Sequence, residues 1–532
     1  MLFTSYNFIA FLSAVIILYW LIPRKARWVL LLVADMVFYY FSKTTALPVN
    51  LIYLVSTIVS TYIFTNLITR NANKEKAYLK ANKESLDKET KKKYKEQQKA
   101  VRRRLLIGSI VVNIGMLAVV KYTNFTISNI NSIMGVLGSA HRLTFVDIAV
   151  PMGISYYIFQ TVGYSIDCYR GKTEAQKNIF KLALFASFFP QLVQGPISRY
   201  DDLAPALFES KEFDFKYISY GLQRILWGFF KKLVIADRLL TAVTTIIKDT
   251  ETYNGLFVVL GMLFYAIELY CDFTGGIDIT IGAAEALGIP LKENFIRPYF
   301  SKTLKEFWNR WHITMGTWFT DYIFYPLSVS KFMLNLNRSS RKHLGDKIGK
   351  RVPVYTATII VWFATGIWHG ASWNFIVWGL GNCLVLLISQ ELEPFYRFFH
   401  SKTKVNGTRI WDAVRIIRTM LIVSSLRLFD CYRDVPLTFK MFGSIFTDKA
   451  VINKETLMGL GLEPTDYIVV LIGVIIVFVV SLIGRSGSVR DKISTIPYWG
   501  KFAIWFGLFL IVLIFGQYGI GYAASQFIYN QF

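Results

Sequence analysis

Apolar runs approaching twenty residues recur from one end of this 532-residue chain to the other. About 20 such residues are what an α-helix needs to cross the hydrocarbon of a bilayer. Inside lipid every backbone N–H and C=O must be satisfied within the protein, so spans of this length are helical. Hydrophobic residues reach 54%, aromatic residues 16% and mean hydropathy +0.40, far above a soluble domain's usual share. The reading is an all-α, polytopic integral membrane protein with about 11–13 transmembrane or re-entrant helices, since hydropathy does not separate the two kinds. No break in composition divides the chain, so residues 1–532 are read as a single membrane domain.

Expected segments lie near 5–22, 28–42, 49–69, 105–121, 148–169, 178–194, 217–235, 255–271, 414–430, 466–484 and 500–523, with two shorter helices inside 354–390. Between the third and fourth, residues 70–104 carry 14 Lys/Arg against 5 Asp/Glu, the pattern of a solvated basic helical hairpin. Positive loops stay in the cytoplasm. That rule places 70–104 inside, beside anionic lipid, together with 331–353 (seven basic residues and Asp346) and the basic loop 485–501. Arg24, Lys25 and Arg27 follow the first apolar stretch and no basic residue precedes it, so the stretch is not read as a cleavable signal. Both termini are then expected on the extracytoplasmic side.

The net charge of +24 fits such loops better than nucleic acid, for which no recognition motif is present. The four cysteines, Cys168, Cys271, Cys383 and Cys431, are scattered without a CxxC pair, which argues against a disulfide framework or a metal site. No Walker A loop, G-x-S-x-G elbow or H-E-x-x-H occurs, and no internal repeat is visible.

Residues 272–330 mix glycine, proline, aromatics and charge, too polar for lipid and too aromatic for a free loop. Such backbone is tolerated at membrane depth only against protein or a water-filled cavity, so the stretch reads as the wall of an internal funnel or re-entrant structure. Two of five histidines fall in apolar surroundings, each after a tryptophan: Trp311-His312, and Trp368-His369 in the run 354–390. An ionisable group there costs about 2.5 kcal/mol or more if charged, and its default reading is functional. Imidazole moves protons near neutral pH. Two imidazoles with carboxylates and no metal pattern suit proton abstraction from a hydroxyl attacking an activated acyl group. One imidazole would be the base, while the other orients a substrate or polarises a thioester. A proton-coupled transporter uses similar parts, but transporters generally show paired repeats.

Several stretches carry a more specific signal. They are PQLVQGPI at 190–197 followed by Arg199 and Tyr200, YCDFTGGID at 270–278, Asn294-Phe295 leading to Pro298-Tyr299, EFWNRWH at 306–312 through Asp321-Tyr322, and GIWHGA at 366–371. In these the chain resembles the membrane-bound O-acyltransferases, in particular the bacterial branch that decorates exported polysaccharides. The resemblance covers about residues 150–385, and it implies a catalytic core there around a central tunnel fed with acyl donor from the cytoplasm. It implies that His369 is the catalytic histidine and His312 the second signature histidine. Trp308, Arg310, Trp311, Trp368 and Asp321 would line the funnel. Asp272, Asn294 and Gln194 match motif positions whose separate roles are open between substrate binding and packing.

Residues 524–532 close the chain with an aromatic tail, and its last six residues, FIYNQF, resemble the tail of acetyltransferases of this branch. A similar tail ends the small partner peptide of the lipoteichoic acid D-alanylation system, where its tyrosine is proposed to carry the acyl group. Here Asn530 stands where phenylalanine is usual. Tyr529 is accordingly a candidate acyl carrier, although an aromatic tail beyond a final span also suits an interfacial belt. The resemblance implies a bacterial plasma (inner) membrane enzyme without a tightly bound cofactor. It would take an acyl group, expected to be acetyl, from acetyl-CoA or another acyl thioester. The acceptor would be an extracellular polysaccharide, reached through an exported SGNH-type acyltransferase. D-alanyl transfer to teichoic acid is the second enzymatic reading, and a polysaccharide or lipid exporter without covalent chemistry is the reading from another class.

Overall fold

The computed structural model describes residues 3–41, 47–448 and 451–519. Tyr529 and the tail 524–532 lie outside the described residues. The described secondary structure is helical, with one isolated antiparallel bridge, Phe295 to Trp311, and the all-α membrane architecture is as the apolar runs require. Seven described helices are long and apolar enough to cross a membrane, and a shorter apolar helix spans Tyr6–Leu21. The chain separates into two compact units, Met1–Ser219 with Ala283–Leu291, and Tyr220–Gly282 with Lys292–Phe532.

The first unit begins with α1 (Tyr6–Leu21), α2 (Arg27–Phe41), α3 (Leu47–Ala81) and α4 (Lys88–Val136). The basic stretch 70–104 is therefore the continuation of two long helices, α3 and α4, joined by a short tip. Arg102 pairs with Glu75 at 2.5 Å, and Asn71 bonds Gln98 at 2.7 Å, tying the two arms together. Next come α5 (Ile154–Arg170), α6 (Ile179–Ser187), α7 (Phe189–Leu192) and α8 (Tyr200–Phe208). The expected segment 178–194 is thus broken at Phe188. Pro190 removes a helical donor at that point, and the buried Asp35 carboxylate of α2 accepts from Ser187 Oγ at 3.2 Å and Phe189 N at 2.8 Å. A carboxylate at a helix N-terminus is a stabilising arrangement.

Helix α9 (Phe215–Phe229) enters the second unit and runs into a π-helical stretch, Phe230–Ala236, followed by α10 (Asp237–Lys248) and α11 (Leu256–Ala286). Residues 272–286, expected to be irregular, belong to α11. Glycine allows this through close packing: a Cβ at Gly228 would lie 2.6 Å from the Gly275 carbonyl oxygen, and one at Gly282 2.6 Å from that of Gly221. Small residues that let helix backbones touch are how helices associate in lipid. Two carboxylates of α11, Asp272 and Asp278, are paired with cations within the unit. Lys232 Nζ lies 2.5 Å from Asp272 and 2.8 Å from Asp237, while Lys231 reaches Asp278 at 2.6 Å. Arg224 bridges Asp278 and Glu293 at 2.9 and 2.6 Å.

Beyond α11 the chain runs through short, broken helices, in line with the mixed composition of the stretch. Two seven-residue helices, α12 (Leu304–Arg310) and α13 (Ile313–Phe319), precede a second π-helical turn, Thr320–Phe324, and α14 (Tyr325–Ser328). The basic helix α15 (Lys331–Gly349) leads to a hairpin of α16 (Val352–His369) and α17 (Trp373–Glu391), which turns at Gly370 to Ser372 as the glycines indicated. These two helices are longer than the short pair expected and each could span. They meet closely: a Cβ on Gly366 would lie 2.6 Å from the Phe375 carbonyl oxygen, and one on Gly379 2.6 Å from that of Trp362. The remainder is α18 (Glu393–Thr403), α19 (Arg409–Tyr432), α20 (Val435–Thr447), α21 (Lys454–Met458), α22 (Pro464–Ile483), α23 (Val489–Ser494) and α24 (Tyr498–Phe515).

Candidate active site

His369 is the last residue of α16 and is 5% exposed. Gly370 follows it, and a side chain at that position would run into the Phe375 ring, so glycine lets that ring close over the turn. The turn swings α17 back, and Trp378 comes to lie edge-on to the imidazole with ring centroids 4.7 Å apart. Phe375 stacks on it at 6.4 Å and Trp368 meets it at 5.1 Å.

His312 is fully buried and sits between α12 and α13 with φ 48° and ψ 51°. Left-handed backbone on a residue other than glycine is costly and concentrates at functional positions. It is enforced by a two-rung ladder, in which Ile296 N donates to Arg310 O and Ile313 N to Asn294 O, both at 3.0 Å. The Asn294 side chain then fixes the imidazole. Its Oδ1 accepts from Thr314 N at 3.0 Å and Thr314 Oγ1 at 2.9 Å, while its Nδ2 lies 3.2 Å from His312 Nδ1. Oδ1 lies at a similar 3.3 Å from Nδ1, so the Asn294 amide holds the ring at Nδ1.

The two histidines belong to one closed circuit of ring contacts. From His369 it passes through Trp378, Trp308, Phe307, Trp311, Phe273, His312 and Trp368 and returns, each step between 4.7 and 6.1 Å. Trp368 touches both imidazoles. Trp308 Nε1 donates to Asn382 Oδ1 at 3.1 Å, which holds that indole against α17. The sequence-predicted residues His312, His369, Trp308, Trp311, Trp368 and Asn294 are therefore brought together.

Others lie elsewhere. Asp272 is committed to Lys232, and Arg310 pairs with Glu306 on its own helix at 2.6 Å. Asp321 is half-buried in the π-helical turn. Gln194 belongs to the first unit, where it is fully buried. Among the described residues no cluster of His, Cys, Asp or Glu is arranged to hold a metal.

Trp378, Asn382 and Arg427 are site residues that motif reading passed over. Arg427, on α19, is 6% exposed and lies over the rings of Trp378, Trp311 and Trp308 at 4.7, 5.4 and 5.7 Å. A signal for it existed, since an arginine inside the apolar run 414–430 is as anomalous as the histidines.

The family model of the membrane-bound O-acyltransferases matches residues 16–340, a stretch that contains His312 and ends before His369. The chain is 31% identical over 367 residues to a probable alginate O-acetylase of Pseudomonas syringae pv. tomato, covering 68% of this chain and 65% of the relative. It is 29% identical over 333 residues to a peptidoglycan O-acetyltransferase of Helicobacter pylori, covering 58% and 59%. A teichoic acid D-alanyltransferase of Bacillus subtilis is 28% identical over 272 residues, covering 50% of this chain and 64% of that protein. The chain thus spans less than two thirds of the length of each of these curated relatives.

Proposed function

The chain belongs to the membrane-bound O-acyltransferase family, and from that premise we propose that it transfers an acyl group, acetyl in the first instance, from a cytoplasmic thioester to an extracellular polysaccharide. The observation that carries this reading is the closed aromatic circuit around two buried imidazoles, one of them held at Nδ1 by the Asn294 amide. Names of relatives with alginate and peptidoglycan acceptors point the same way for the acceptor.

The chemistry assigns His369 as general base. It takes the proton of the attacking hydroxyl as that oxygen bonds to the thioester carbon. It returns the proton to sulfur as the C–S bond breaks, so the reaction releases a thiol and an ester with no net proton change. With Asn294 Nδ2 donating to Nδ1, His312 would carry its hydrogen on Nε2 and use it to orient and polarise the thioester carbonyl. The donor, acetyl-CoA or another acyl thioester, is bound only as substrate. Membrane lipid surrounds the unit, and an exported SGNH-type acyltransferase would complete delivery to the polymer. The teichoic acid D-alanyltransferase relative supports D-alanyl transfer as the second reading.

A relay at Tyr529 joins this scheme to the outside. A phenyl ester is more reactive than an alkyl ester because phenolate, with a pKa of about 10, is the better leaving group. Tyr529 would accept the acyl group at the extracellular mouth and hand it on. Tyr529→Phe keeps the ring and deletes the nucleophile. We expect polymer acylation to stop while donor binding persists, measured as acyl content of the polymer beside donor binding in the same membranes. Normal acylation by Tyr529→Phe leaves the tail as an interfacial anchor only.

The scheme also requires the tip between α3 and α4 to be cytoplasmic, where the donor resides, because the basic residues of 70–104 follow the positive-inside rule. Ser85→Cys, at that exposed tip, should resist a membrane-impermeant thiol reagent on intact cells and react after permeabilisation. Strong labelling of intact cells inverts the orientation and the side of donor entry.

A further inference from the structure

The Arg427 guanidinium sits over indole rings, deep in the ring cluster that surrounds His369. Three tryptophan rings stack around it within 5.7 Å. Among the described residues its hydrogen-bond partner is Asp430, whose Oδ2 accepts from Nη1 at 3.2 Å. Guanidinium donors lie in the plane of the group, five of them in a fixed fork. Cation–π contacts engage the π-faces and consume none of these N–H donors, and the bond to Asp430 takes one of the five.

The neighbouring Trp378 is 1% exposed, and its indole Nε1 is a buried donor with no acceptor among the described residues. A buried donor without an acceptor costs about 1–3 kcal/mol. Two such features meet at the ring that also touches His369. Buried donors left open beside a reactive group are what an active site keeps for charge that develops during reaction.

We propose that Arg427, with the Trp378 N–H, receives the negative charge that develops on the acyl carbonyl oxygen during transfer. This rests on the acyl-transfer reading of the His369 site. As the hydroxyl oxygen bonds to the carbonyl carbon, the C=O electron pair moves onto oxygen. His369 holds the hydroxyl proton meanwhile, and the oxyanion returns its pair when the C–S bond breaks. His312 positions the carbonyl, and Arg427 stabilises the charge. Asp430 keeps the arginine oriented and its charge balanced in the resting state. Arg427 lies beyond the stretch that the family model matches, on a helix the sequence reading took for a plain span.

The test uses the full chain in native membrane vesicles, with acetyl-coenzyme A as the probe and thiol release as the readout. Loss of one preorganised oxyanion donor lowers kcat about 10²–10³-fold. Arg427→Met should fall in that range with donor KM changed less than about threefold, because the interaction is made in the transition state only. Arg427→Lys keeps the charge and should recover part of the loss. Trp378→Phe keeps the ring against His369 and should lose about tenfold in kcat, the share of a neutral donor rather than a charged one. If Arg427→Met fails to fold, the lysine and Trp378→Phe variants carry the test. Turnover near wild type in Arg427→Met overturns the proposal. So does a loss in Arg427→Lys that comes wholly through KM. His369→Ala is measured beside them. If it is active, the acyl-transfer reading itself fails. If it is inactive while Arg427→Met turns over normally, only the oxyanion role fails.

Discussion

Replacing His369 by alanine should reduce acyl transfer by about 10²–10⁴-fold, the usual contribution of a positioned general base. The fold is expected to survive, since the imidazole contributes ring contacts to Trp378, Trp368 and Phe375, while Trp378 still packs on Trp308 and Trp368 on His312. His369→Gln preserves more volume and polarity but cannot shuttle a proton, so it should be as inactive as alanine. The comparison separates chemistry from packing. Both variants are read as acyl transfer per folded protein in reconstituted membranes, with folding checked by thermal unfolding. A glutamine variant that transfers at the wild-type rate removes the base from the account.

The largest effect on stability is expected at Lys232. Its ammonium is 1% exposed and shared between Asp272, also 1% exposed, and Asp237. Deleting one partner of a buried ion pair costs about 3–5 kcal/mol, because an uncompensated charge remains. Lys232→Met should therefore lower the unfolding midpoint in detergent strongly. The double variant Lys232→Met/Asp272→Asn should recover part of that loss, since it removes the stranded charge as well. A Lys232→Met protein that melts with the wild type, or a double variant less stable than either single change, shows that the pair is not what holds α11 to the π-helical stretch.

The fold and much of the site were legible because the constraints are local. Apolar length announces a spanning helix, and the helix pair around His369 is announced by Gly366, where the Phe375 backbone approaches closely, and Gly370, which faces the Phe375 ring. His312 and His369 stood out because imidazole is expensive in apolar sequence. Residues 272–286 were misread for an opposite reason. Asp272 and Asp278 look too polar for a buried helix until the lysines of 230–236 are seen to neutralise them, and those lie about 40 residues away in sequence. The break at Phe188 needed Asp35, 154 positions from the amide it caps. Arg427 was passed over because motif text ended near residue 385, while its partners Trp308, Trp311 and Trp378 come from two other helices. Long-range pairing of charge and ring is a tertiary property that hydropathy does not carry.

The central claim is that an acyl group crosses from a cytoplasmic thioester to the opposite side at the His369 site. It is tested most directly in sealed vesicles that hold the full chain and its extracytoplasmic partner in known orientation. Acetyl-coenzyme A labelled in the acetyl group is supplied only on the cytoplasmic face, and the polysaccharide acceptor only on the other. Label should accumulate on the acceptor as an alkali-labile ester, and His369→Ala vesicles of equal protein content should accumulate none. Label that stays on the cytoplasmic face with the wild-type protein, or that reaches the acceptor equally well with His369→Ala, contradicts it.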